Sequence, residues 1–305
     1  MSATQHAPLI FSNLPVELLR EVFEHAASSD RATARSLSLV SSRVRHWIDP
    51  ALFHTVVLSS TRTLRAFLTA LTKRPADFAA QRVKHLGVFA LGPVQSIDQV
   101  LAACKGVQSL ACGFSLPSYK LVKGCATVQA LDAPREQHLL GVAGSDGWDA
   151  ALVGPSVTHL RMHLSSILNG GSERSGWDRL AQLPQLTHLA VVYRATADKS
   201  ASALFSDLEH LLSPQRTSGT ASKPSNLQLI LVQVLGTNSG AFPADKVIAD
   251  VNSAAVAAGG NALRIAAERA PLSAARQWED SVRSGRGVWE TGEEVVRARL
   301  AAVKQ

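Results

Sequence analysis

Aromatic side chains are scarce in this chain, with Phe, Trp and Tyr together making up 5% of it. Any sizeable core must therefore be aliphatic, and an apolar content of 46% supplies enough Leu, Val and Ala for one. Cysteine is scarcer still. Cys104, Cys112 and Cys125 are an odd number without metal-ligand spacing, which excludes a disulfide scaffold and fits buried or free thiols in a reducing compartment. No uninterrupted apolar run approaches the ~18 residues of a membrane span. Pro8-Leu9-Ile10-Phe11 is too short for a signal-peptide core. A cytoplasmic or nuclear protein of one large or two modest domains is expected from 305 residues.

Patterns that carry chemistry are missing too. Gly141-Val142-Ala143-Gly144-Ser145-Asp146-Gly147 has glycines spaced like a phosphate loop but lacks the Lys-Ser/Thr that would hold a nucleotide. His159 and His163 are four apart in a strand-like stretch, without the Glu of a zinc helix. No Gly-x-Ser-x-Gly nucleophile elbow occurs, and no cysteine has an adjacent His to activate it. The expectation is a non-catalytic binding protein with no cofactor and no metal.

Positive charge is concentrated. Of the formal +7, the segment from Arg31 to Ala90 carries +8, with Arg31, Arg35, Arg43, Arg45, Arg62, Arg65, Lys73, Arg74, Arg82 and Lys84 against Asp49 and Asp77. Such a segment can be a solvated helix surface, or can attract an acidic protein or nucleic acid. No aromatic stacking surface or groove-reading helix accompanies it, which makes nucleic acid the weakest of these readings.

The most informative block is Leu14-Pro15-Val16-Glu17-Leu18-Leu19-Arg20-Glu21-Val22-Phe23. Pro15 suits the first helical position, where a missing N–H costs nothing. Glu17 and Glu21 complement the helix dipole, and Leu14, Leu18 and Val22 recur every four residues, with Leu19 and Phe23 widening the stripe. Further on, Ala34, Leu37, Val40, Val44 and Trp47 fall on one helical face, and Asp49-Pro50 is expected to end that helix. A unit of residues 14–58 buries too little surface to stand comfortably alone. It must pack on the remainder of the chain, on another protein, or on both.

These residues, with Leu37-Ser38-Leu39-Val40-Ser41, Arg43, Trp47 and Asp49-Pro50-Ala51-Leu52-Phe53, resemble the F-box, most closely the form found in mushroom-type fungi. The resemblance covers about 45 residues of the chain. It implies a helical module that docks on the Skp adaptor of a Skp–cullin–F-box ubiquitin ligase, leaving the rest of the chain to capture a protein substrate. The adaptor-facing positions it implies are Leu14, Pro15, Leu18, Val22, Leu37, Val40 and Ser41. Many F-boxes carry an aromatic where this chain has Val44, with Trp47 one turn later instead. The same residues also fit an ordinary amphipathic cap on the chain's own domain.

Beyond residue 58 a short pattern repeats: apolar, two residues, Leu or Ile, one residue, small or apolar. It occurs at Val83/Leu86/Val88, Val107/Leu110/Cys112, Val128/Leu131/Ala133, Val157/Leu160/Met162, Leu186/Leu189/Val191 and Leu227/Ile230/Val232, with a looser copy at Ala262/Ile265/Ala267. The flanks echo as well, so that His85, His159 and His188 share one repeat phase. Self-similarity at 20–30 residues indicates stacked repeats. Helical stretches intervene at 64–71, 97–103, 204–212 and 247–256, and His54–Leu58 reads as a first strand. Strand and helix in alternation resemble a degenerate leucine-rich repeat, an α/β solenoid with a parallel sheet; a plain α/β domain is the other reading. Residues 169–176 and 213–226 are rich in Gly, Ser, Thr and Pro and read as loops.

The C-terminal stretch reads as two helices broken at Ser284-Gly285-Arg286-Gly287. Open solenoids need an end cap, and Trp278, Trp289 and Val296 suit that role. The expected organisation is thus a 1–13 tail, a 14–58 helical module, a 59–270 solenoid and a 271–305 helical cap. The expected function is that of a substrate-recruiting F-box subunit, or of a protein-interaction scaffold outside any ubiquitin ligase.

Overall fold

The computed structural model describes residues 14–113, 134–141, 153–168, 173–194, 200–213, 225–236 and 243–303. The chain divides into two compact units, Met1–Val56 and Val57–Gln305. Among the described residues, no helix is long and apolar enough to cross a membrane.

In the first unit, helix α1 spans Val16–Ser29, α2 Arg31–Leu37 and α3 Ser42–His54. Pro15 is not the first helical residue. It sits one place earlier, with φ −52° and ψ 142°, and its carbonyl accepts the first helical bond from the Leu19 amide at 3.1 Å. The periodic stretch from Ala34 to Trp47 is two helices rather than one. Asp30 caps α2 by accepting from the Thr33 amide at 2.7 Å, and Ser41 caps α3 by accepting from the Val44 amide at 3.2 Å. Between them, the Arg45 Nε donates to the Ser38 carbonyl at 2.9 Å and fixes the link.

Nor does Asp49-Pro50 stop α3, which runs through Pro50 to His54. Pro50 forfeits one backbone bond, but Trp47, Ile48, Ala51 and Leu52 around it all pack into the unit's core. That packing outweighs the local penalty. The core gathers Ala27, Ala34, Val44 and Ile48, with Phe23, Leu37 and Trp47 against them. The Phe23 and Trp47 rings lie 6.3 Å apart. Val44 is thus a core residue, and Trp47 supplies the aromatic one turn later.

The second unit is α/β, built on one sheet whose order is β1 (Thr55–Leu58), β2 (His85–Val88), β3 (Ser109–Cys112), β4 (Glu136–Leu139), β5 (His159–His163), β6 (His188–Arg194), β7 (Leu229–Leu235) and β8 (Ile265–Arg269). Each strand from β2 to β7 pairs in parallel with the next one in sequence. Among the described residues the strand order never reverses, so these strands form no topological switch point of the kind that binds nucleotides in doubly wound folds.

The connections include α4 (Thr61–Leu71), α5 (Phe78–Arg82), α6 (Val94–Ala103), α7 (Leu164–Leu168), α8 (Glu173–Ala181), α9 (Ala201–Leu212) and α10 (Ala244–Ala258). Four of them start about three residues before the apolar stripe, where Ser60, Pro93, Ser200 and Pro243 precede the first turn. The 173–176 part of an expected loop is instead the first turn of α8. Trp177 and Leu180 are buried and anchor it, and a Cβ on Gly176 would fall 2.1 Å from the Ile167 carbonyl oxygen.

Strand periodicity places alternate residues on opposite faces. On the first face the register aligns Leu86, Leu110, Gln137, Leu160, Leu189, Ile230 and Ile265, all buried. The looser repeat copy is thus strand β8. Strand β4 lies outside the sequence pattern, because Gln137 occupies the place a Leu holds elsewhere. The predicted copy at 128–133 lies outside the described residues, as do Cys125, residues 142–147 and 214–224. Cys104 and Cys112 are buried free thiols, and burial pushes both up to about 12, which keeps them protonated.

Two more helices follow β8: α11 (Ala274–Ser284) and α12 (Val288–Val303). Their break is the expected one, but their packing is not. Trp278 does not cover the β8 end; it lies at β2 and β3, where its indole N–H donates to the Ser109 hydroxyl at 2.9 Å and its ring meets Phe89 edge-on. The bare Cα of Gly87 makes room for it, since a Cβ there would fall 2.5 Å from the Trp278 ring. Trp289 reaches β4, and Val288, Trp289 and Val296 pack with Ala190, Leu229, Leu231 and Ala266. The two helices therefore lie across the second sheet face instead of plugging the array's end. The physical reason is that this face offers both seats: Gly87 and the apolar Ala190, Leu229, Leu231 and Ala266 take the rings and aliphatic side chains, and Ser109 and Glu136 accept from the two indole N–H groups.

At the edge strand β8, Asn252 of α10 uses its amide twice. It donates to the Ala267 carbonyl and accepts from the Ala267 amide, each at 2.9 Å. Arg299 of α12 adds a 2.6 Å bond to the Ile265 carbonyl.

Candidate functional site

Helix α1 carries two apolar stripes. Phe23 and Ala27 turn into the unit's core, with Leu19 half-buried, while Leu18 and Val22 point out, 47% and 51% exposed. Of the other adaptor-facing positions implied by the sequence, Pro15 is exposed and Leu14 half-buried. Val40 is 61% exposed on the α2–α3 link, beside Leu39 at 79%. Leu37 packs against the core. Ser41 is exposed, and its hydroxyl is committed to capping α3. The structure thus separates the seven: Leu18, Val22 and Val40 offer apolar surface, and Leu37 and Ser41 hold the shape that presents it. Val16 and Leu39 are exposed apolar residues that the sequence reading did not single out.

Covering such a residue completely is worth roughly 1.5–3 kcal/mol, so each half-exposed side chain retains on the order of 1 kcal/mol for a partner. The flanking charge is mixed: Glu17 and Glu21 are exposed, and Arg20 pairs with Glu24 at 2.7 Å, an exposed bridge of little energetic weight.

The second polar constellation lies on the covered sheet face. Register places His85, Ser109, Glu136, His159, His188 and Leu229 in one row. The equal phase read from the echoed flanks is therefore real, and the His159 and His188 rings stack 4.1 Å apart at an interplanar angle of 9°. Trp289 stands edge-on to both. The Glu136 carboxylate accepts from the Trp289 indole at 2.6 Å and pairs with the His138 ring at 2.7 Å. Burial alone would raise its pKa, but His138, Ser109 and Trp289 together hold it well below the usual carboxylate range. Burial, and next the adjacent His188, push His159 down to about 4. His188 is lowered chiefly by burial, against the pull of Glu293 at 3.0 Å.

This network ties α11 and α12 to the sheet. Its histidines are spent on stacking and hydrogen bonds, and among the described residues no cluster of His, Cys, Asp and Glu could hold a metal ion. Glu136, His138 and Arg161 escaped the sequence reading. Strand β4 lacks the central Leu that marks the other strands, and a charged residue inside Leu160-Arg161-Met162 reads as facing solvent. No protein-family model matches the chain, and no curated protein shows significant sequence similarity to it.

Proposed function

We propose that the chain is a substrate-recruiting F-box subunit of a Skp–cullin–F-box ubiquitin ligase, working in the cytoplasm or nucleus. The first unit docks on the Skp adaptor, and the second, a leucine-rich-repeat-like solenoid, presents a target protein. The observation that carries this reading is the outward stripe of α1, Leu18 and Val22, which the unit's own core does not use. It belongs to the same Leu-Pro-x-Glu-Leu-Leu block that resembles the F-box. A sheet whose strands follow one another in sequence order supports the repeat reading. The work done is recruitment: holding target and ubiquitin-charged enzyme together raises the effective concentration of target lysines.

Leu18→Asp tests the reading, with Leu14→Asp as its companion. Each is expected to abolish pull-down of a Skp adaptor while circular dichroism stays that of the native chain. Adaptor capture by both variants at the wild-type level removes the proposal and leaves the scaffold reading.

A further inference from the structure

The stretch from Thr61 to Gln108, which holds α4, α5 and α6, carries most of the chain's charge. Seven Lys and Arg residues stand there against two acids, Asp77 and Asp98, so that it bears +5 of the formal +7. A groove of about 520 Å³ opens among the same three helices. Leu68 and Leu71 of α4, Pro75 and Ala76 of the link, Ala79 of α5 and Ala103 of α6 give it an apolar lining, and the exposed amide of Gln99 adds a hydrogen-bonding group. Its volume falls within the roughly 300–1,000 Å³ of ligand pockets, which is room for one or two large aliphatic side chains.

Bases surround this lining. Lys73 and Arg74 lie in the link directly before Pro75, Arg65 is one helical turn before Leu68, and Lys105 follows Ala103 by two residues. Arg65, Lys73 and Lys105 are exposed, and Asp77 in the same link takes the Gln81 amide. The link is held in place, since the Arg74 amide donates to the Leu71 carbonyl and the Phe78 amide to the Pro75 carbonyl, each at 3.0 Å. A surface fixed in advance has less ordering to lose on binding. Among the described residues no aromatic ring lines the groove, and the neighbouring Phe78 ring lies under the Arg74 guanidinium, 4.8 Å from its centroid. A nucleic-acid base therefore has no platform to stack on.

We propose that this groove docks an acidic peptide segment of a partner protein. One or two aliphatic side chains of the segment fill the apolar lining, and its flanking carboxylates face Arg65, Lys73, Arg74 and Lys105. Burial of the aliphatic anchor supplies affinity, and the complementary charge supplies selectivity and a fast encounter.

Selection of a random dodecapeptide display library on the full chain tests this. No adaptor is present, so the result is independent of docking by the first unit. The expected outcome is enrichment of peptides in which aspartate or glutamate flanks leucine, isoleucine or methionine. Fluorescence anisotropy then measures one labelled selected peptide, whose binding should weaken as salt rises. The Arg65→Glu/Lys73→Glu double variant should bind it at least about tenfold more weakly, because like charges then meet. Ala76→Trp fills the groove from an exposed position and should cost about tenfold as well. Both variants change exposed residues outside the core. Selection without that enrichment, or peptides that bind Ala76→Trp as tightly as the wild type, overturns the proposal. So does a single-stranded oligonucleotide that binds more tightly than the peptide and is weakened by the charge variant but not by Ala76→Trp, which assigns the surface to nucleic acid.

Discussion

Helix α1 and the pair α11–α12 are all amphipathic, yet the chain treats them differently. Trp278, Trp289, Val288 and Val296 are buried, and both indole N–H groups have acceptors on the sheet. On α1, Phe23 and Ala27 are packed, while Leu18 and Val22 face outward. In the sheet unit, the inward stripe of α11 and α12 has been spent on tertiary structure over sequence separations of 169 and 153 residues, although Val295, Leu300 and Val303 of α12 stay exposed. In the helical unit, part of it remains available. Apolar content alone does not distinguish the two; the difference lies in what faces each stripe.

Truncating a side chain in each region should break the comparison most visibly. Trp278→Ala is expected to cost about 3–5 kcal/mol, because it opens a cavity over Gly87 and leaves the Ser109 hydroxyl without its donor. Chemical denaturation measures this, and a loss below about 1 kcal/mol would show that α11 is not integral to the sheet unit. Leu18→Ala, by contrast, should change stability by no more than about 0.5 kcal/mol, since the residue is half in water already.

Acid should sharpen the contrast next. His159 folds with its pKa pushed down to about 4, against an ordinary value of about 6.5. A depressed folded-state value means the contribution is complete above pH 6.5 and disappears as pH falls toward 4. Glu136, also depressed, adds a loss at still lower pH. Melting of the sheet unit is therefore expected to soften between pH 6.5 and 4, and His159→Gln to flatten that slope. An unchanged slope in the variant would assign the softening to other groups. Smaller again is Ser41→Ala, which removes the α3 cap and should cost about 1 kcal/mol in the helical unit alone.

Much of this architecture could be read from the sequence wherever the signal is local. The apolar-x-x-Leu pattern located β2, β3, β5, β6 and β7, and the loose copy located β8. The equal phase of His159 and His188 translated directly into a register pair. Strand β4 was lost because Gln137 replaces the Leu mark, although it falls 27 and 23 residues from the matching residues of β3 and β5. Local rules also misplaced Pro50, since core packing around α3 overrides a single missing hydrogen bond. The covering of the second face was beyond reach, because nothing near Trp278 in sequence names Gly87 or Ser109 as its seat. At the candidate docking surface, spacing identified the α1 stripe but not which of its leucines look inward.

The doubled amide contact of Asn252 with Ala267 has a consequence for how the molecule behaves in a crowd. A parallel sheet that grows strand by strand ends in a margin able to recruit further copies, and polymerisation is the natural hazard of such an edge. One side chain from α10 occupies the margin as an extra strand's backbone would, and Arg299 takes the neighbouring carbonyl. Growth at that side is terminated from within, without a proline, a bulge or a second subunit.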